Sequence, residues 1–259
     1  MIVNHDQYLK FMPHNVLDET LIFHSKGNYT LHEATRHLST LHHIPEMDLK
    51  KLTGNELKLD TLETEHHGNI PPLPAPHPLR RLDSCEHFES RVITFENVLN
   101  LLRPLVSKEN THKRGYPSGG ALYPIEVFCV NLNNSIKNWP SDSGALHLLP
   151  DSRTLEVHSP KINCTNLSRA ITPLVNDIGT PTLALIYFIY VPKSLFKYRY
   201  RGYRLALMET GSMYMLVDLC CKENHFRSRP WSGFTDHQVT KELHLNPSLF
   251  LPACVQLIG

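Results

Sequence analysis

Residues 195–214 read LFKYRYRGYRLALMETGSMY. From about Tyr203 to Cys221 the chain reads as a helix, because Leu205, Met208, Ser212, Leu216 and Leu219 recur at three- and four-residue steps and share one face. The other side is barely more polar, since it carries Leu207, Met213, Met215 and Val217. A helix that is apolar nearly all round is expected to be buried on most sides. Gly211 and Ser212 leave room for a neighbouring backbone or a flat ligand. The approach to this helix is cationic and aromatic, with Lys197, Arg199, Arg201 and Arg204 among Tyr198, Tyr200 and Tyr203. Guanidinium forks match phosphate and carboxylate oxygens, so an anionic ligand is one reading. A solvated basic turn is the other.

Outward from this helix, the chain of 259 residues has room for one large domain, or for one domain with an appendage. Its 26 basic and 25 acidic residues give a net charge of +1. That balance argues against a nucleic-acid binder, which would carry a basic face. Met1 to Lys10 lacks an apolar signal region, and the longest apolar run, Leu183 to Val191, is too short to span a bilayer. A soluble, cytoplasmic protein with no membrane partner is therefore expected. The six cysteines form no CxxC pair, and His42–His43 and His66–His67 do not share a helix face, so no metal site is expected.

Residues 1–69 are polar and histidine-rich. Thr30 and Glu33 resemble a capping box opening a helix that Pro45 ends, and Met47, Leu49, Leu52 and Leu57 suggest a second short helix. Such a helical appendage is too small to be stable alone, and its expected work is docking. Ile70 to Pro78, IPPLPAPHP, holds five prolines in nine residues and marks a boundary, so 70–79 is read as a linker and 80–259 as the main domain. There Thr94 caps a short helix, and Ile125 to Leu132 is a buried strand. Residues 145–149 and 154–158 form a hairpin across PDSR, and Asn166 to Thr172 is a short helix. Leu183 to Val191 is the most apolar strand, Thr235 to Leu243 a helix and Ala253 to Ile258 a closing strand. Strands and helices interleave without a regular βαβ repeat, which predicts an α+β fold on a mixed sheet.

Three short segments bear on chemistry. RGYPSGGALYP, residues 114–124, leads into a strand, and its Gly119–Gly120 pair lets backbone approach a ligand. It is neither a Walker A loop nor a GxGxxG turn, and it also reads as a plain tight turn. RPWSGF, residues 229–234, could cap a planar ring, or place a tryptophan in the core. RRLDSCEHF, residues 80–88, offers two arginines and Ser84 to a phosphate, or a solvated turn.

Together PSGGALYPIEVF, FKYRYRGYRLALMETGSMY and WSGFTD resemble the SagB-type branch of the FMN-dependent nitroreductase superfamily, and within it the azoline dehydrogenases of microcin-type synthetases. The resemblance covers about Arg81 to Ile258 strongly and the appendage faintly. It implies FMN as cofactor, and oxidation of peptide thiazolines and oxazolines to thiazoles and oxazoles within a complex containing a cyclodehydratase. Arg81 and Ser84 fall where the superfamily holds the FMN phosphate. Glu86 stands at its second basic place, so Arg204 or Arg201 would have to compensate. Pro117, Ser118, Gly119 and Gly120 match the loop against the isoalloxazine, and Trp231, Ser232 and Gly233 match the segment near its N5 and O4 edge. Lys197 and Tyr198 match the catalytic Lys-Tyr pair, either of which could be the base. The apolar helix with Met208, Met213 and Met215 needs more cover than one sheet gives, so a homodimer with FMN near its interface is expected. The precursor peptide and the cyclodehydratase subunits are the other expected partners. A generic flavin nitroreductase or quinone reductase, and a non-catalytic scaffold subunit, are the alternatives.

Overall fold

The computed structural model describes residues 5–28, 45–48, 68, 70–157, 162–172 and 178–259. Among the described residues six strands form one sheet: β1 (Ile125–Asn131), β2 (Ala145–Leu149), β3 (Thr154–Val157), β4 (Leu183–Tyr190), β5 (Ser228–Trp231) and β6 (Phe250–Ile258). Their order is β3-β2-β1-β4-β6-β5. Every ladder is antiparallel. The α+β class holds, but the expected mixture of strand directions is not seen. Among the described residues, parallel pairing is confined to isolated bridges at Phe88–Gly179 and Thr94–Lys137. Strand polarity depends on how each connection runs, which periodicity does not encode.

Strand β4 is buried along its whole length. Leu183, Leu185, Tyr187 and Ile189 enter one core, and Ala184, Ile186 and Phe188 the other. Alternate side chains point to opposite faces of a strand, so both faces of the sheet must be covered. Helices do this. The seven helices described are α1 (His5–Lys10), α2 (His14–Ser25), α3 (Phe95–Leu102), α4 (Cys164–Ile171), α5 (Val191–Tyr198), α6 (Tyr200–Glu223) and α7 (Asp236–Glu242). Val98, Leu101 and Leu102 of α3 and Ala206, Met213 and Val217 of α6 pack on the first face. Leu167, Ala170 and Ile171 of α4 and Val239 of α7 pack on the second. Thr94 caps α3 by accepting from Asn97 N–H, while the Asn97 side chain accepts from Thr94 N–H.

The long helix runs from Tyr200 to Glu223, but the side it buries is not the expected one. Gly202, Ala206, Glu209, Thr210, Met213, Val217, Asp218 and Cys221 face inward. Met208 is 64% exposed and Leu207 41%. An all-round apolar helix gives periodicity no contrast to work with, and polar partners from distant segments decide which face turns in.

At the amino end, α1 and α2 precede the two helices expected in the appendage. The helix expected after Thr30 lies outside the described residues, as does most of the second. Met12 and Val16 are buried in the first core. Tyr8 packs against Phe196 and Tyr190, Tyr200 donates to Glu19 at 2.6 Å, and His24 Nδ1 lies 2.9 Å from the Tyr203 hydroxyl. The opening helices therefore sit on α5 and on the first turn of α6. Among the described residues no helix is long and apolar enough to cross a membrane, and no cluster of three or more His, Cys, Asp or Glu could hold a metal ion.

Candidate functional site

The centre of the site is the junction between α5 and α6. Lys197 and Tyr198 end α5, and the Lys197 ammonium lies 5.3 Å from the centre of the Tyr198 ring. Arg199 follows with φ 47° and ψ −136°, a left-handed conformation for a residue with a Cβ. That break turns the chain into α6. One turn later the helices nearly touch. A Cβ on Gly202 would sit 2.3 Å from the Ser194 carbonyl oxygen, so only glycine fits.

The loop 117–120 meets this junction. A Cβ on Gly120 would lie 2.6 Å from the Tyr198 hydroxyl and 2.9 Å from Lys197 Nζ. Gly120 has φ 64° and is exposed, as is Pro117. The loop thus offers open backbone on one side and holds the Lys-Tyr pair on the other. It is braced from beneath. The Arg114 guanidinium is buried, stacks 4.3 Å from the centre of the Tyr123 ring and donates to the Tyr116 hydroxyl at 2.9 Å. The Arg114 N–H donates to the Tyr123 hydroxyl, and the Tyr123 N–H donates to Ser118 Oγ at 2.9 Å. Ser118 therefore points inward and shapes the loop.

Beneath the loop lies a residue that sequence reading passed over. Glu209 is 3% exposed, one of its oxygens has no hydrogen-bond partner, and it faces the loop. Burial raises its carboxyl to about 7, against the opposing pull of a hydrogen bond from Ser118 and of the Arg114 and Lys193 charges. Its only sequence signal was an acidic residue within the apolar middle of the helix.

The phosphate candidates stand elsewhere. Arg81 Nε donates to Asp218 Oδ2 at 3.0 Å, and its Nη2 donates to Ser84 Oγ at 3.2 Å. Asp218, buried on α6, also accepts from the Ser228 hydroxyl. Ser228 in turn accepts from Gln256 Nε2 at 3.2 Å. The guanidinium is thus aimed by a fixed carboxylate and stays partly exposed beside a serine hydroxyl, which suits a phosphate. Lys222 donates to the carbonyls of His77 and Arg80, and Arg227 to that of Asp83, so this segment is stitched down. Leu205, which meets Gly119, and Asp218 lie ~20 Å apart along α6 at about 1.5 Å per residue. The two halves of the candidate cofactor site therefore sit towards opposite ends of one helix. Arg204 is exposed at the loop end, next to Leu205.

Trp231 is buried, and its indole N–H donates to the Ile171 carbonyl at 2.8 Å. It packs in the second core, as a core tryptophan does, while Ser232 is exposed and Gly233 packs against the indole ring. Trp231 ends edge strand β5, Ser232 and Gly233 follow it, and β5 is separated from β4 by β6. Within one chain they do not join Lys197 and Tyr198.

No protein-family model matches the chain. It is 33% identical over 248 residues to the Microcin B17-processing protein McbC of Escherichia coli, spanning 92% of this chain and 88% of that protein. A chain of the solved E. coli microcin synthetase McbBCD complex with truncated pro-MccB17 bound superposes with a TM-score of 0.83 at 31% identity, over 100% of this chain and 97% of that one. A candidate nitroreductase of Ralstonia eutropha superposes with a TM-score of 0.58 at 15% identity, over 75% of this chain and 86% of that one, and so shares the fold. With a third of its residues matched across nearly its whole length, the chain belongs to the family of the microcin B17-processing protein McbC.

Proposed function

We propose that the protein is an FMN-dependent oxidoreductase that converts thiazolines and oxazolines of a ribosomally made precursor peptide to thiazoles and oxazoles. The observation that carries this reading is the contact of Lys197 and Tyr198 with the open Gly120 backbone. The kinship with McbC supports it, as does the likeness to a chain of a synthetase complex holding its pro-peptide. Aromatising an azoline removes a proton from the acidic α-carbon and a hydride from the β-carbon. FMN, when bound, supplies the hydride acceptor. The chain supplies the rest. Lys197 and Tyr198 take the α-proton, the glycine backbone lets a flat ring lie close, and Arg81 with Ser84 holds a phosphate.

The functional test is mass spectrometry of an azoline-containing peptide incubated with the protein and its cyclodehydratase partners. Loss of about two hydrogens per ring is expected. A peptide mass that stays at the azoline value defeats the reading.

Arg81→Ala is expected to release the flavin. Removing a charge-assisted phosphate contact costs roughly 1.5–3 kcal/mol, or about 10- to 150-fold in affinity. Fluorescence titration with FMN reads this directly, and unchanged affinity would remove Arg81 from the phosphate site.

The cofactor site is assigned to a homodimer in which Arg81 and Ser84 of one copy serve the ring held at Gly119–Gly120 of the other. The separation along α6 and the exposed Leu207 and Met208 support this. Light scattering should give a dimer, and a stable monomer that keeps its flavin would defeat the assignment. Residues 1–69 form the appendage, 70–79 the linker and 80–259 the flavin domain in this reading, with the cyclodehydratase subunits as partners.

A further inference from the structure

Of the two hydrogens an azoline loses, the one removed as a proton must travel beyond the residue that first takes it. Tyr198 sits between the loop and the α5–α6 junction, half-covered. Behind it is a cavity of about 10 Å³, lined by Tyr198, Gly119, Ser194, Gly202, Leu205 and Glu209. That volume holds roughly one water. The side of α6 that lines it is continuous, because Gly202, Leu205 and Glu209 recur at three- and four-residue steps. The unpartnered Glu209 oxygen is buried against this space. A buried carboxylate oxygen without a partner carries a large desolvation cost unless a proton or a water serves it.

We propose that Glu209 is the proton acceptor behind Tyr198, reached through one water in this cavity. The inference rests on the functional reading above. The balance is simple. The α-carbon–hydrogen bond breaks and its proton goes to the Tyr198 oxygen. As it arrives, the hydroxyl's own proton passes to the water and a water proton to the Glu209 carboxylate, so Tyr198 stays a phenol and the carboxylate becomes a carboxylic acid. Glu209 later loses that proton to solvent. Each turnover brings one proton in and sends one out, so the buried group ends the cycle in the charge state it began with.

The groups facing Glu209 set its poise. Ser118 donates from the loop, Arg114 lies beneath it, Lys193 belongs to α5, and Glu126 on β1 is the opposing negative charge. Ser194 and Tyr198 border the cavity from α5, and Lys197 Nζ stands beside the Tyr198 hydroxyl at Gly120. Burial outweighs the cations, so the carboxyl titrates in the neutral range, where a relay passes protons both ways. Glu209 does not reach the loop's open face, so it is a relay residue acting through Tyr198 and not a substrate contact.

The experiment has two arms. The first is infrared titration of the dimeric holoprotein carrying isotope-labelled glutamate. One carboxylic-acid band should titrate near neutral pH, disappear in Glu209→Gln, and shift in Tyr198→Phe because the two sites are coupled. The second is the pH profile of kcat on an azoline-containing peptide. The wild type should lose rate as pH falls below about 7, since a protonated Glu209 cannot accept. Glu209→Gln should lose that limb and run at least roughly tenfold slower with KM unchanged. Ser118→Ala, which keeps every buried charge, removes a hydrogen bond to the carboxylate and should move the limb to higher pH. A Glu209 band unmoved by Tyr198→Phe, or an acid limb kept by Glu209→Gln, overturns the relay. A wild type that leaves azolines unoxidised defeats the functional reading instead, and the infrared arm still decides the coupling.

Discussion

Tyr198→Phe is expected to give a folded, yellow protein that joins its partners and stops the peptide at the azoline stage. The change removes one oxygen and keeps the ring, so the packing of α5 is untouched. What is lost is the hydroxyl that lies against Gly120. A positioned acid–base group is worth about 10²–10⁴-fold in rate, equivalent to about 3–5 kcal/mol of barrier. Lys197→Ala should have a comparable effect, because the ammonium lies over the same ring. The check is peptide mass after a timed incubation, together with the flavin absorbance of each variant. Azole formation at the native rate by both variants would move the base elsewhere, with Tyr200 and Tyr203 next to be considered. Both already have partners in α2, Tyr200 at Glu19 and Tyr203 at His24, which makes them poorer candidates.

The second large effect is expected at a residue with no chemistry of its own. Gly202→Ala sets two contributions against each other. Alanine is the better helix former by about 1 kcal/mol. Against this, its methyl group would enter the backbone of α5 at Ser194, 2.3 Å from a carbonyl oxygen that cannot rotate away. Overpacking of that kind costs typically about 1–3 kcal/mol, occasionally more. The clash should win, and relief requires α5 to move. Lys197 and Tyr198 move with it, and a misplacement of about 1 Å can cost roughly 10²-fold in rate. Gly202→Ala should therefore melt several degrees lower, at about 2–4 °C per kcal/mol for a chain of this size. It should also make azoles far more slowly with flavin still bound. A variant that melts higher and works at the native rate would show that the two helices do not approach this closely.

How far the sequence carries depends on which residues answer to local rules. Thr94 followed by Phe95, Val98, Leu101 and Leu102 announces its helix, and the structure places cap and helix there. Leu183–Tyr190 announces a strand buried on both faces, since both kinds of alternate position are apolar. The inward face of α6 was not legible. Its buried members include Glu209, Thr210 and Asp218, and two of these are matched by Ser118, Arg81 and Ser228, which lie far off in the chain. Helices α1 and α2 escaped for a related reason. The α2 sequence has little amphipathic contrast and stands through contacts with Tyr200, Tyr203 and Phe23 packing on Tyr203. In the candidate site, the Lys197–Tyr198 pair was read from family resemblance. Its seat against Gly120 could not be read from spacing, because a long stretch of sheet intervenes.

The placement of Arg81 and Tyr198 towards opposite ends of α6 has a genetic consequence. In a dimer whose flavin sites each draw one half from either copy, Arg81→Ala and Tyr198→Phe damage different halves. Each homodimer carries two broken sites. A heterodimer gathers both lesions into one site and leaves the other whole. Co-expressing the two dead alleles should therefore restore azole formation at roughly a quarter of the wild-type level, the share of intact sites under random pairing of a two-fold dimer.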